Sequence, residues 1–199
     1  MTAAAVAAAT AVLLALFAAV AWERARAFDL PLSFARFSAI APGAGAIGLS
    51  GWLATRDSAA YASAVLLACA AVSATTDLQT GYIFDRVLLA GTLLALAPAC
   101  AGGRLADAAA GGLLASALLM IPYACSRGRG IGLGDVKFAA TIGFGLGTAG
   151  ALSALWFAAV CGGTVAIVLL AAGRVARGGA LPFGPFLAIG ASYAIVRLA

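Results

Sequence analysis

Eight apolar stretches, separated by short turns that collect most of the charge, run the length of this 199-residue chain. A helix needs about 20 apolar residues to cross the hydrocarbon core of a bilayer. The stretches are predicted from Ala3 to Trp22, Phe37 to Ala54, Ala59 to Thr76, Val87 to Ala101, Leu105 to Cys125, Val136 to Leu146, Ala149 to Ala172 and Leu181 to Leu198. Hydrophobic residues make up 64% of the sequence and charged residues only 10%, with a mean hydropathy of +1.10. Soluble domains carry about 25% charged residues, and a globule of this size has too much surface for its volume to hide so many apolar side chains. The composition excludes a soluble enzyme, a disordered chain and a secreted disulfide scaffold. It implies an all-α, polytopic transmembrane bundle of about eight spans (six to eight), forming one domain over residues 1–199.

Orientation follows from the basic residues. With the amino terminus outside, the inner turns hold Arg24, Arg26, Arg36, Arg86, Arg127, Arg129, Lys137, Arg174 and Arg177, and the outer turns hold Arg56, Arg104 and Arg197. This is the direction the positive-inside rule requires. The positive charges follow the first stretch rather than precede it, the pattern of a retained span and not of a cleaved signal. A net charge of +5 distributed in this way concerns lipid, not nucleic acid, and Arg127 and Arg129 suit anionic headgroups. There is no histidine, and the four cysteines (Cys69, Cys100, Cys125, Cys161) form no CxxC pair. No metal site, thiol redox pair or cofactor is expected from them; they read as small packing residues inside spans, as do the Gly111-Gly112 and Gly162-Gly163 pairs.

Only seven residues are acidic. Glu23 and Asp29 sit with arginines after the first span. Asp57 and Asp107 belong to outer turns and read as interfacial charges. Asp77, Asp85 and Asp135 lie on the predicted inner face, Asp77 at the end of one span and Asp135 at the start of another. Ionisable groups at membrane depth are costly and often mark a site. Spacing alone leaves two readings open, because Asp135 after Gly132-Leu133-Gly134 can simply cap a helix. The two glycines permit unusual backbone conformations or close approach by another chain. Asp85 is expected to cap its helix or pair with Arg86. Lys137 either stabilises a nearby carboxylate or snorkels to headgroups.

The stretch Gly132-Leu133-Gly134-Asp135-Val136-Lys137 resembles the GxGD signature of the type IV prepilin peptidases, and the likeness continues through Phe138 to Gly147. Asp77-Leu78-Gln79-Thr80-Gly81-Tyr82-Ile83 resembles that family's first aspartate motif, with Phe84 where its members usually carry proline. Leu181-Pro182-Phe183-Gly184-Pro185-Phe186 is similar to its terminal Pro-Phe-Gly-Pro-Phe block. All three occur in family order, within residues 77–190. The resemblance implies a bacterial inner-membrane hydrolase, an aspartyl endopeptidase whose site faces the cytoplasm. It would remove the short basic leader, ending in glycine before a hydrophobic helix, of prepilin or pseudopilin-like precursors of type IV pilus and protein secretion systems. Asp77 and Asp135 are the implied catalytic pair, with Gly132, Gly134 and Lys137 in the active-site loop. Pro182, Phe183, Gly184 and Pro185 either wall the site or kink the start of the last span. Bifunctional members add a cysteine-rich insertion and methylate the new pilin terminus. The turn from Glu23 to Arg36 is short and has no cysteine, so the resemblance implies peptidase activity alone.

Two carboxyls suffice for peptide hydrolysis without metal or histidine. When both share a site they do not both ionise easily, so one takes a proton from the attacking water while the other polarises the carbonyl. Two other readings stay open: a proton- or cation-coupled transporter, which also uses intramembrane carboxylates, and a catalytically silent subunit of a pilus or secretion assembly, which the Phe84 departure allows.

Overall fold

The computed structural model describes residues 60–128, 130–173 and 181–198, together with Ala21, Glu23 and Arg26. Among them it forms five helices and no strand: α1 (Ala60–Thr80), α2 (Asp85–Ala101), α3 (Leu105–Ser126), α4 (Leu133–Ala171) and α5 (Gly184–Leu198). The first and second predicted spans lie outside the described residues, apart from Ala21. The α1, α3 and α4 helices are each long and apolar enough to cross a membrane, and α5 is a shorter apolar helix. Alanine and leucine dominate these segments and favour helix. Lipid offers the backbone no outside partner, so an apolar chain there has to close its hydrogen bonds within the helix.

The α1 helix is the central element. Val65, Leu66, Cys69 and Val72 are almost fully buried, and α1 packs against α2, α4 and α5. By contrast, α3 and α4 turn large apolar side chains such as Leu113, Trp156 and Ile167 outward. Of the cysteines, Cys69 belongs to the core, while Cys100 and Cys125 are exposed and Cys161 is half-buried. The helix of α1 also runs past its predicted end at Thr76. It closes at Gly81 (φ 69°), whose N–H reaches the Asp77 carbonyl at 2.8 Å. Asp77 therefore sits in the last helical turn and not beyond it.

The 39 residues of α4 contain one non-helical residue, Gly147 (φ 70°, ψ −173°). A straight helix of that length would span roughly 58 Å, far more than a bilayer core. The contacts show instead that the chain reverses at Gly147. Before it, Gly145 meets Leu66 of α1 and Gly143 meets the backbone of Gly111 in α3. After it, Gly150 meets Leu198 at the end of α5, Ala154 meets Gly190, and Gly162 meets Phe183 and Phe186 at the start of α5. The first leg (133–146) and the second leg (148–171) thus run antiparallel, about 21 Å and 36 Å long. The sequence separates its sixth and seventh predicted spans at this same point, but the turn consists of a single glycine.

Asp107 accounts for the start of the second leg. A helix start leaves backbone N–H groups without partners. Asp107 Oδ1 accepts the Thr148 N–H at 3.1 Å and the Thr148 hydroxyl at 2.6 Å. The residue expected to be only an interfacial charge is a helix cap supplied by α3. Close approach of α3 to the first leg depends on glycine: a Cβ at Gly143 would overlap the Gly111 carbonyl, and one at Gly112 would strike the Phe144 ring. Gly162 is likewise a contact surface, whereas its neighbour Gly163 faces open space.

Candidate active site

Asp77, in the last turn of α1, is 7% exposed, and Asp135, in the first turn of α4, is 6% exposed. Both line one cavity of about 860 Å³, shared with the α1–α2 turn and with Gly132, Leu133 and Gly134. They lie 58 positions apart along the chain.

The two carboxyls are anchored in the same manner. Asp77 Oδ2 accepts the backbone N–H of Gly184 at 2.8 Å, where α5 begins. Asp135 Oδ2 accepts the backbone N–H of Gly132 at 2.9 Å, where α4 begins. Each is held by a donor that a helix start leaves free. Capping therefore uses one oxygen of Asp135, and its other oxygen, Oδ1, is buried with no hydrogen-bond partner. An orphaned acceptor of this kind costs about 1–3 kcal/mol or more. The capping reading of Asp135 holds for Oδ2, while Oδ1 is left without a partner.

Gly134 acts by closeness rather than by conformation. Gly132 has φ −83° and ψ 158°, extended backbone open to any residue, and Gly134 is not among the positive-φ glycines. The expectation of an unusual backbone there is not met. A Cβ on Gly134 would instead lie 3.2 Å from the Ile83 Cβ, so this glycine lets the two aspartate-bearing segments meet. Gly184 is tighter still: its Cβ would stand 2.8 Å from Asp77 Oδ2.

Lys137 does not approach the aspartate pair. Its Nζ lies 2.8 Å from both oxygens of Asp85. Successive helical residues rotate by about 100°, so a side chain two positions after Asp135 leaves on nearly the opposite face. Asp85 in turn pairs with Lys137 instead of Arg86. Both partners are exposed, so the pair is worth only about 0–1 kcal/mol.

Within the terminal block, Gly184 touches Asp77 from behind, and Phe183 packs against Phe186 with ring centroids 6.0 Å apart. None of Pro182, Phe183, Gly184 or Pro185 lines the cavity. Pro185 occupies the first turn of α5, where its missing N–H breaks no helical bond. The block supports Asp77 rather than walling the site. Phe84 has φ −81° and ψ 121°, close to the φ that proline fixes. Its side chain is buried in the core, so packing holds the turn that a proline ring would otherwise stiffen.

Tyr82 and Arg86 also line the cavity and were not singled out from the sequence. The available signal is their place in and just after the turn that follows Asp77, five and nine residues on. Among the described residues, no three Cys, Asp or Glu side chains are grouped to hold a metal ion. The cavity brings the carboxyls of Asp77 and Asp135 together with Tyr82, Asp85 and Arg86.

Residues 64–167 match the type IV leader peptidase family. Over 159 residues the chain is 36% identical to the prepilin leader peptidase/N-methyltransferase of Burkholderia pseudomallei strain 1026b, covering 74% of this chain and 48% of that protein. It is 30% identical over 136 residues to the protein of the same name from Bacillus subtilis strain 168, covering 65% and 53%. The chain spans about half the length of these curated relatives. No solved structure matches significantly.

Proposed function

The chain belongs to the type IV leader peptidase family, and from that premise we propose that it is a membrane aspartyl endopeptidase that removes the basic leader of prepilin-like precursors. The observation that carries this reading is the buried pair of aspartates in one cavity, with Asp135 Oδ1 left unpaired. Water held between the carboxyls attacks the scissile carbonyl. The ionised carboxyl takes the water's proton while the protonated one hydrogen-bonds the carbonyl oxygen. A proton then passes to the leaving nitrogen. The pair titrates as a unit, so neither residue is assigned the acid or the base.

The catalytic segments fall within residues 77–190 of a single membrane domain of eight spans. The amino terminus is outside and the cavity faces the cytoplasm at the inner membrane. The excess of arginine and lysine in the turns of that face supports this orientation, and Arg86 and Lys137 lie beside the cavity. The relatives' names join leader cleavage to N-methylation. Cleavage alone is the activity proposed here, because the Glu23–Arg36 turn has no cysteine.

The test is incubation of the purified full chain in detergent with a prepilin precursor, followed by mass spectrometry. The expected products are the leader, ending in glycine, and a mature chain with one new amino terminus. A precursor that stays intact contradicts the reading.

Gly184→Ala provides a finer check. The added methyl group meets Asp77 Oδ2 and Cγ and displaces the carboxyl by a few tenths of an ångström. Small misplacements of a reacting group are costly, so kcat is expected to fall about tenfold to hundredfold, with helical content retained. An unchanged kcat would mean that the Gly184 contact does not position Asp77.

A further inference from the structure

A second concavity, of about 380 Å³, lies between α2 and the first leg of α4. Asp85 and Arg86 line both it and the aspartate cavity, so the two adjoin at the Asp85–Lys137 ion pair. From there the groove follows successive helical turns, with Leu89 and Thr92 on one wall and Ala140 and Thr141 on the other. Its two hydroxyls are already satisfied. Thr92 and Thr141 bond each other at 2.9 Å, and Thr141 donates to the Lys137 carbonyl at 3.1 Å. Beyond the ion pair the groove therefore presents a mainly apolar surface, and Leu89 at its mouth is 61% exposed.

We propose that this groove docks the apolar helix of the substrate that follows the cut bond. The inference rests on the peptidase reading and adds a binding surface to it. A substrate whose scissile bond sits at Asp77 and Asp135 has to leave the cavity in two directions. One of them, past Asp85 and Arg86, leads straight into an apolar strip within the membrane-crossing part of the molecule. Lipid covers one side of any segment lying there and the groove covers the other. Its backbone must then be internally bonded, as in a helix, and its side chains must be apolar. A charged leader does not fit this lining, so the groove takes the portion on the opposite side of the cut. The small side chain of Ala140 lets such a helix approach closely, the helix-in-groove mode of recognition.

The experiment compares two substrates on the full chain in detergent: a prepilin precursor with its apolar helix, and a truncated peptide that ends before that helix. Leu89→Trp and Ala140→Leu fill the groove. Each is expected to lower the ratio of kcat/KM for the precursor to that for the truncated peptide by about tenfold, the equivalent of one lost leucine-sized contact. Leu113→Trp, on the exposed face of α3, leaves the ratio at its original value. Benzoylphenylalanine at position 89 crosslinks to the precursor on irradiation, and at position 113 it does not. An unchanged ratio in both groove variants would overturn the inference and leave lipid as the occupant. An equal loss on both substrates would overturn it as well. Asp77→Asn is the separate control: if that variant still cleaves both substrates, the peptidase reading fails instead.

Discussion

Asn in place of Asp77 or of Asp135 is expected to lower precursor cleavage by about a thousandfold or more while leaving the chain folded. Asparagine has nearly the same shape as aspartate, and its carbonyl oxygen can accept the Gly184 or Gly132 N–H that anchors each carboxyl. What it lacks is a proton to exchange. Removing a positioned acid or base commonly costs 10²- to 10⁴-fold, and groups that act as a unit lose nearly everything when one is removed. The loss should appear in kcat, because both side chains act on the reacting atoms, and much less in KM. Mass spectrometry of precursor and product measures it, with circular dichroism as the check on folding. A variant retaining a tenth of the original rate would remove its residue from the chemistry.

Gly147→Ala is expected to be the most damaging single change to the fold. The backbone there (φ 70°, ψ −173°) belongs to a region that essentially only glycine occupies, at a cost of about 1–3 kcal/mol for other residues. An added Cβ would also overlap the Asp107 carboxylate that caps Thr148, and loss of a cap costs about 1 kcal/mol more. The same turn holds both legs of α4, and so fixes Asp135 on one side and the packing of α5 behind Asp77 on the other. The thermal midpoint in detergent should fall by roughly 10 °C, with poor recovery of folded protein. An unchanged midpoint would mean that the reversal at Gly147 is not a tight turn.

The helices were legible because apolar stretches of span length have few alternatives in a chain this hydrophobic. The two aspartates were legible because a carboxylate among apolar residues stands out, and because the segments around them resemble a known pattern. The partners of these residues were not. Asp77 takes its hydrogen bond from Gly184, 107 positions away, and Lys137 finds Asp85 across 52. Both pairings depend on the register of packed helices, which no local pattern encodes. Glycines were readable as important but not in their roles: Gly132 has an ordinary backbone, while the positive φ that favours glycine occurs at Gly81, Gly103, Gly128, Gly147 and Gly173. Asp107 reads from the sequence as an interfacial charge because its acceptor role exists only once the second leg of α4 has folded back against α3.

The most direct test of the claim that the two carboxyls work as one unit is the rate of the Asp77→Asn/Asp135→Asn double variant beside the two single variants. Cleavage of the prepilin precursor is followed by mass spectrometry over long incubations. If the pair shares one water and one proton, the first substitution already disables it, and the double variant should be no slower than the slower single variant. If the two losses multiply in the double variant, or either single variant keeps near-full activity, the aspartates act separately and the shared-site mechanism is wrong.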